Sequence, residues 1–149
     1  MNPHSRHKAR FCAIQAIYQW QLANPELPQL LTQFLQDPRP EFKKMDKDYF
    51  TKLVSNIVAQ TETLDNILTP HLDRGINEVS QVELAILRVG AGELQFCLDV
   101  PYRVVINEAL ELAKTFGGKN SHKYINGVLD HVARATRPTE FGAIGEQDA

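Results

Sequence analysis

The sequence has 149 residues, of which 43% are hydrophobic and 23% charged, and its formal net charge is −2. This length is typical of one domain with its own core, and this composition is ordinary for a soluble globular protein. No stretch is long and apolar enough to span a membrane, and the charged N-terminus leads into no apolar signal segment, so we expect a cytoplasmic protein.

The first predicted helix covers residues 5–23 and ends at Asn24-Pro25, because proline disfavours helical backbone at the residue before it. This helix carries two apolar rows at helical spacing. The rows are Ala13, Ala16, Ile17 and Trp20 on one side, and Phe11, Ile14, Tyr18 and Leu22 on another. Two apolar faces indicate either deep burial or contact with something besides the protein's own core.

The middle of the chain predicts three more helical segments. A short helix covers residues 28–36, and the proline-rich residues 37–40 form a stiff turn or loop. The next helix begins after the N-cap Asp46 and runs to about Gln60. A further helical series carries the apolar residues Leu64, Ile67, Leu68 and Leu72, and Pro70 kinks or ends it.

Three helices are predicted in the C-terminal half. Ser80 and Glu83 form a capping box before a helix that is apolar on most sides, which is typical of the centre of a bundle. Residues 99–101 separate it from a second helix, which the glycine pair 117–118 ends. Ser121 is the predicted N-cap of the last helix, which ends at residues 137–138.

Three glycines fall inside these C-terminal helices, at Gly90, Gly92 and Gly127. Glycine weakens a helix by about 1 kcal/mol relative to alanine. We therefore predict that a neighbouring helix packs closely against each of them, and for Gly127 a direct functional role stays open as the alternative.

These elements predict an all-α fold of about seven helices in two small packed bundles, divided between residues 72 and 79. Connections are short and no internal repeat is present, so residues 1–138 form one domain. Residues 139–149 are polar and contain glycine, and we predict that they form a disordered tail.

Positive charge is concentrated at the N-terminus. Arg6, Lys8 and Arg10 precede the first acidic residue, Glu26, and His4 and His7 lie among them. A positive end on an otherwise acidic body predicts an anionic partner for that end.

No catalytic pattern is present. Asn107, Glu108 and Glu111 share a predicted helix, and we interpret them as ordinary surface and capping residues rather than as catalytic groups. The glycines at 117–118 do not belong to a phosphate-binding loop, and no Ser-His-Asp or Cys-His arrangement is recognisable. We expect no enzymatic activity and no cofactor.

No metal site is expected either. His71, His122 and His131 lack the i, i+4 spacing of helical metal ligands. Cys12 and Cys97 form no CxxC pair, and we interpret them as two reduced cysteines, which fits the cytoplasm.

Four strings, in order, resemble the NusB family. They are VELAILR at 82–88, VPYRVVINEALELAK at 100–114, FG at 116–117 and NGVLD at 126–130. The similarity covers about residues 3–138 and implies an all-helical RNA-binding protein without enzymatic activity. It also implies pairing with NusE, a protein of the small ribosomal subunit, and binding of the boxA element of nascent RNA. The pair then joins other Nus factors and RNA polymerase in antitermination of ribosomal RNA transcription.

The resemblance implies two functional surfaces. The RNA-binding residues would be Arg6, His7, Lys8, Arg10, His71, Asn120, Lys123 and Tyr124. Cations attract phosphates, and exposed rings stack on unpaired bases. The NusE-binding residues would be Tyr18, Leu22, Glu78 and Glu83. These combine an apolar patch with an acidic rim, which suits a basic partner.

Two histidines depart from the family pattern. His71 stands where a phenol is common, and His7 stands where an arginine is common. A histidine is a weaker cation than arginine at neutral pH, so we expect a weaker affinity for RNA.

Two alternative functions remain open. One is a protein-binding helical scaffold without an RNA role. The other is the NusB-like module of a ribosomal RNA methyltransferase system, which needs a following domain with a glycine-rich cofactor loop, and this sequence carries no such loop. A homodimer that buries the same face as NusE also stays open.

Overall fold

The computed structural model describes residues 2–141, and within that range the chain is helical and contains no strand. The α-helices are α1 (Pro3–Ala23), α2 (Leu27–Leu35), α3 (Pro40–Lys43), α4 (Lys47–Ala59), α5 (Thr61–Leu68), α6 (Gln81–Phe96), α7 (Tyr102–Phe116) and α8 (Ser121–Thr136). Two 3₁₀ turns, Thr69–His71 and Ile76–Glu78, lie between α5 and α6. The predicted all-α class is confirmed. Among the described residues, no helix combines the length and apolar character needed to cross a membrane.

Local sequence signals set the helix ends, as predicted. Asp46 caps α4 by accepting a hydrogen bond from the backbone N–H of Tyr49 at 3.1 Å. Before α6, the Ser80 hydroxyl accepts from the backbone N–H of Glu83 at 3.2 Å and donates to the Glu83 carboxylate at 2.9 Å. These are the two residues of the predicted capping box, although the Glu83 carboxylate accepts from the Ser80 hydroxyl and not from the Ser80 backbone N–H. Asn24 ends α1 in the left-handed conformation, with φ of 49°.

The short helix α3 was not predicted. Residues 37–40 were predicted to form a loop, but Pro40 occupies the first helical position of α3. Proline is tolerated there because the N–H that it lacks would have no hydrogen-bond partner within the helix. The helix buries Phe42, whose ring stacks on Phe34 at a centroid distance of 5.5 Å. Tertiary burial of one aromatic side chain therefore explains a helix that the local pattern does not show.

The start of α8 also differs from the prediction. Ser121 is the first helical residue, and the cap position belongs to Asn120, which has φ of 75° and makes no side-chain capping bond. Ser121 is buried against Gly117, where an added Cβ would lie 2.7 Å from the Ser121 Cβ. Close packing at the α7–α8 corner thus places the serine inside the helix.

Helix α6 is the centre of the molecule and packs against α1, α4, α5, α7 and α8. Two of its glycines permit this contact. A Cβ at Gly90 would lie 2.8 Å from Leu129 of α8, and a Cβ at Gly92 would lie 2.7 Å from Ile57 of α4. The predicted close packing is confirmed at both positions. It is wrong for Gly127, which is exposed and has nothing beyond its own stretch of helix within 4 Å of an added Cβ.

Residues 72–80 join α1–α5 to α6–α8, the two groups of helices that the predicted division separates. The two groups share a broad interface, since α1, α4 and α5 all contact α6. Because α6 packs against helices of both groups, the division into two bundles stays a prediction.

The buried Arg137 caps the C-terminal end of α6. Its guanidinium donates hydrogen bonds to the backbone carbonyls of Leu94 at 2.8 Å, Val100 at 2.9 Å and Cys97 at 3.0 Å. The last carbonyls of a helix have no hydrogen-bond donor within the helix. Arg137, at the end of α8, supplies that donor here and places a positive charge where a helix favours one.

The chain continues in packed form beyond Arg137. Residues 138–141 are helical, and the Phe141 ring lies 4.2 Å from that of Tyr102. Packed contacts therefore extend three residues past the domain boundary predicted at residue 138. The rest of the predicted tail, residues 142–149, lies outside the described residues.

Candidate functional site

The cations predicted at the N-terminus of α1 face acidic side chains from distant parts of the chain. The Arg6 guanidinium lies 3.9 Å from the carboxylates of both Asp46 and Asp99, and it covers the Tyr49 ring at 4.5 Å. The Arg6 side chain is 27% exposed. It therefore reaches the surface, but with much of its charge already offset.

Arg10 lies in the core, not at the surface. Its Nε donates to Glu93 at 2.7 Å, and the Tyr49 hydroxyl donates to the other Glu93 oxygen at 2.6 Å. Glu108 lies 3.7 Å from a second guanidinium nitrogen. Burial opposes the charge, but the hydrogen bond and charge of Glu93 hold the pKa of Arg10 above its ordinary value. Because the side chain is only 4% exposed, Arg10 ties α1 to α6 and offers no phosphate contact.

His7 and Lys8 complete this first cluster. The His7 Nδ1 pairs with the Glu108 carboxylate on α7. Lys8 is half-buried and makes no ion pair within residues 2–141. In the folded protein, carboxylates from elsewhere in the chain thus offset most of the positive charge of the N-terminal segment. Lys8 and Arg6 are the cations best placed to bind an anion.

A second cluster lies along α8 and the loop that follows the first 3₁₀ turn. The His71 and His131 rings stack at 5.8 Å with an interplanar angle of 8°. The Arg74 guanidinium covers the Tyr124 ring at 4.7 Å. Burial, with Asp73 nearby, raises the pKa of the Tyr124 hydroxyl, so it stays protonated. Tyr124 and His131 of α8 thus each stack on a planar side chain, Arg74 or His71, from the segment that follows α5.

Asn120 and Lys123 stand at the start of α8, and both are exposed. Within the described part of the chain, Lys123 makes no ion pair. The structure therefore places the predicted residues His71, Asn120, Lys123 and Tyr124 on or beside α8. No hydrogen bond or ion pair among the described residues joins this second cluster to the first.

A third feature is an apolar groove of about 630 Å³ beside α1. Tyr18 is 37% exposed and Leu22 is 57% exposed, and both line it. The other lining residues, from α1, α2, the α3 cap, α6 and α7, are Ile14, Gln15, Gln19, Ala23, Gln33, Phe34, Arg39, Val82 and Phe116. The second apolar row of α1 therefore opens onto a groove and is not fully covered by the core.

The predicted acidic rim lies at the start of α6. Glu78 is exposed, whereas Glu83 is half-buried and engaged with Ser80 in the capping box. Neither carboxylate lines the groove, although Val82, the neighbour of Glu83, does.

Sequence reasoning missed Arg74 and His131 in the second cluster. His131 lies seven residues after Tyr124, which places the two on the same face of α8, two helical turns apart. This spacing could have predicted from the sequence that His131 belongs to the cluster. Arg74 has no such signal, because its partner lies 50 residues further along the chain and only the fold brings them together.

Metal ligands and thiols are the remaining groups to place. No group of three potential metal ligands occurs there. Both cysteines are buried, and burial raises the pKa of Cys12 to about 12 and also raises that of Cys97. Neither thiol is therefore poised as a nucleophile.

Comparison with known proteins supports the resemblance seen in the sequence. The model of the NusB family matches residues 7–134. A transcription antitermination protein NusB from Alcanivorax borkumensis is 53% identical over 138 residues, which cover 93% of this chain and 91% of the relative. The protein of that name from Escherichia fergusonii is 45% identical over 140 residues, which cover 94% of this chain and 99% of the relative.

Two solved structures share the fold. NusB from T. maritima superposes with a TM-score of 0.80 at 29% identity, covering 91% of this chain and 94% of that one. A chain from a crystal structure of the antitermination factors NusB and NusE in complex with dsRNA superposes with a TM-score of 0.77 at 26% identity, covering 90% of this chain and 99% of that one.

Proposed function

The chain belongs to the NusB family, a family of non-enzymatic transcription antitermination factors, and from that premise we propose that it pairs with NusE and holds boxA-type single-stranded RNA during ribosomal RNA transcription. It acts as an adaptor in the bacterial cytoplasm. Other Nus factors and RNA polymerase contact it indirectly, through the assembled complex.

One observation carries this proposal: the exposed apolar groove and the polar clusters have no residue in common. Tyr18 and Leu22 line the groove, while Lys8 and Lys123 lie outside it. A protein partner and an RNA can therefore bind at the same time. A crystal structure of the antitermination factors NusB and NusE in complex with dsRNA supports an assembly in which protein partner and RNA are bound together.

The proposed NusE surface is the groove with its acidic flank. Tyr18 and Leu22 supply apolar area, and aromatic residues at the centre of an interface contribute much of its binding energy. Glu78 lies in the 3₁₀ turn before α6, and Glu83 lies in the first turn of α6, next in sequence to the groove residue Val82. Their charge favours a basic partner and speeds its encounter with this face.

The proposed RNA surface joins both polar clusters. Arg6, His7 and Lys8 supply charge at the start of α1, and the α8 side supplies the predicted residues His71, Asn120, Lys123 and Tyr124. Rings stack on unpaired bases, and exposed cations attract phosphates. Arg10 is left out, because its buried ion pair with Glu93 keeps it from the surface.

Carboxylates near Arg6 and His7 make the RNA affinity of the isolated protein weak. Asp46 and Asp99 offset Arg6, and Glu108 offsets His7. Bound NusE adds contacts to the same RNA and raises the overall affinity. We therefore expect tight RNA binding only from the pair.

Two substitutions test the two surfaces separately. Leu22→Lys places a charge in the groove and is expected to weaken NusE binding at least tenfold, by isothermal titration calorimetry. The matched control is Leu98→Lys, since Leu98 is 67% exposed in the α6–α7 connection and does not line the groove. Equal effects of the two substitutions would contradict the proposed partner surface.

Lys8→Glu is expected to weaken boxA RNA binding of the NusE-bound protein about tenfold at 0.1 M salt, because one phosphate contact is lost. NusE binding should not change. The control is Lys43→Glu on α3, an exposed lysine outside both surfaces. An unchanged RNA affinity for Lys8→Glu would contradict the RNA surface proposed at the start of α1, whereas no RNA binding by the wild-type pair would favour a protein-binding scaffold without an RNA role.

A further inference from the structure

Gly127 has none of the usual structural reasons for a glycine. It lies in the interior of α8, yet it is exposed, and nothing beyond its own stretch of helix lies within 4 Å of a Cβ added there. No glycine of the described chain has a positive φ, so the backbone does not require glycine at this place. Gly90 and Gly92, by contrast, are each held by a close helix contact. Glycine weakens a helix relative to alanine, so α8 would be more stable with another residue here.

The position of Gly127 on α8 is distinctive. It lies three residues after Tyr124 and four before His131, so the three share one face of the helix. The two rings are two helical turns apart, about 10 Å along the axis. Gly127 is therefore the bare stretch of helix between them.

Each ring on this face has a stacking partner from the loop after α5. Arg74 covers Tyr124 at 4.7 Å, and His71 lies parallel to His131 at 5.8 Å. The two stacked pairs therefore border Gly127 at both ends. Glycine is the residue that lets a ligand approach a backbone closely.

A cation without an ion pair lies beside Gly127. Lys123 lies one turn before Gly127, is exposed and makes no ion pair within residues 2–141. Two nearby carboxylates are already paired, since Asp73 binds Arg74 at 2.6 Å and Asp130 binds Arg134 at 3.2 Å. A third carboxylate, that of Glu83, acts on Arg74 and Tyr124 and accepts a hydrogen bond from the Ser80 hydroxyl. Lys123 is thus a cation on this face that is left for a phosphate.

We infer that Gly127 is an RNA contact point, where the sugar-phosphate backbone of a single-stranded RNA lies directly on α8 between the Tyr124–Arg74 and His71–His131 stacks. This inference rests on the proposed function and adds three residues to its RNA surface, namely Gly127, Arg74 and His131. The RNA bases next to this contact stack on the ring pairs, and Lys123 binds the adjacent phosphate.

Substitution of Gly127 tests the inference, because stability and RNA binding should move in opposite directions. Gly127→Ala and Gly127→Gln should raise the melting temperature by about 2–4 °C, since both residues are better helix formers. RNA binding should weaken about threefold for Gly127→Ala and at least tenfold for Gly127→Gln, because the side chain fills the contact point. The assay is fluorescence anisotropy of a labelled short boxA RNA with the NusE-bound protein, with circular dichroism melting alongside.

The matched control is Ala59→Gln, which adds polar bulk at an exposed position on α4, away from the α8 face. It should leave RNA binding unchanged. Wild-type affinity in Gly127→Gln, with wild-type protein binding RNA, would overturn the inference and leave the proposed function standing. Absence of RNA binding by the NusE-bound wild-type protein would overturn the proposed function, and the inference with it.

Discussion

Replacement of Glu93 by alanine should destabilise the protein more than any surface substitution. Glu93 is 1% exposed and accepts hydrogen bonds from both Arg10, at 2.7 Å, and Tyr49, at 2.6 Å. Removal of one partner of a buried ion pair typically costs about 3–5 kcal/mol, because the other charge stays buried. The unpaired Tyr49 hydroxyl adds about 1–2 kcal/mol. Glu108, 3.7 Å from Arg10, offsets part of this loss.

The net expectation for Glu93→Ala is therefore a loss of about 4 kcal/mol in the free energy of unfolding. Urea denaturation followed by circular dichroism, with linear extrapolation to water, measures it. Asp130→Ala is the control: it removes an exposed pair with Arg134, whose side chains are 41% and 60% exposed, and should cost less than about 0.5 kcal/mol.

A double substitution examines the cause. Arg10→Met with Glu93→Met replaces both charges by apolar side chains and should recover much of the stability that Glu93→Ala loses, since no charge then stays buried alone. A loss below about 1 kcal/mol in Glu93→Ala would refute the reasoning, because it would mean that water or another group solvates Arg10 in the folded protein.

Two further predictions concern stability. Burial and the neighbouring Glu93 raise the pKa of the Tyr49 hydroxyl, so the folded protein keeps a proton that the unfolded chain releases above about pH 10. The free energy of unfolding should therefore fall as the pH rises above 10, with a shallower fall in Tyr49→Phe; equal slopes in urea denaturation across this range would contradict this. Arg137→Ala should cost about 2–4 kcal/mol, because the carbonyls of Leu94, Cys97 and Val100 lose their shared donor. Thermal melting beside Arg134→Ala, an exposed control, measures this, and similar melting temperatures for the two variants would rule out the capping role.

Features that depend on neighbours in sequence could be predicted. The capping box of Ser80 and Glu83, the N-cap Asp46 and the end of α1 at Asn24 all follow from local hydrogen bonding and backbone preference. The two apolar rows of α1 likewise follow from helical periodicity, and one of them opens onto the groove through Tyr18 and Leu22.

Features that depend on partners distant in sequence could not. The basic segment predicts that Arg10 is a surface cation. Its partner Glu93 lies 83 residues away, and only the packing of α1 on α6 brings the two together. In the sequence, Gly127 cannot be distinguished from Gly90 and Gly92. The helical pattern alone does not determine whether a glycine faces a neighbouring helix or the solvent.

The most direct test of the adaptor function is the binding of labelled boxA RNA over a salt series, with and without purified NusE. We expect weak, salt-sensitive binding by the protein alone and clearly tighter binding with NusE, since the joint surface adds contacts. Equal affinities with and without NusE, or no binding in either case by folded protein, would contradict the adaptor function.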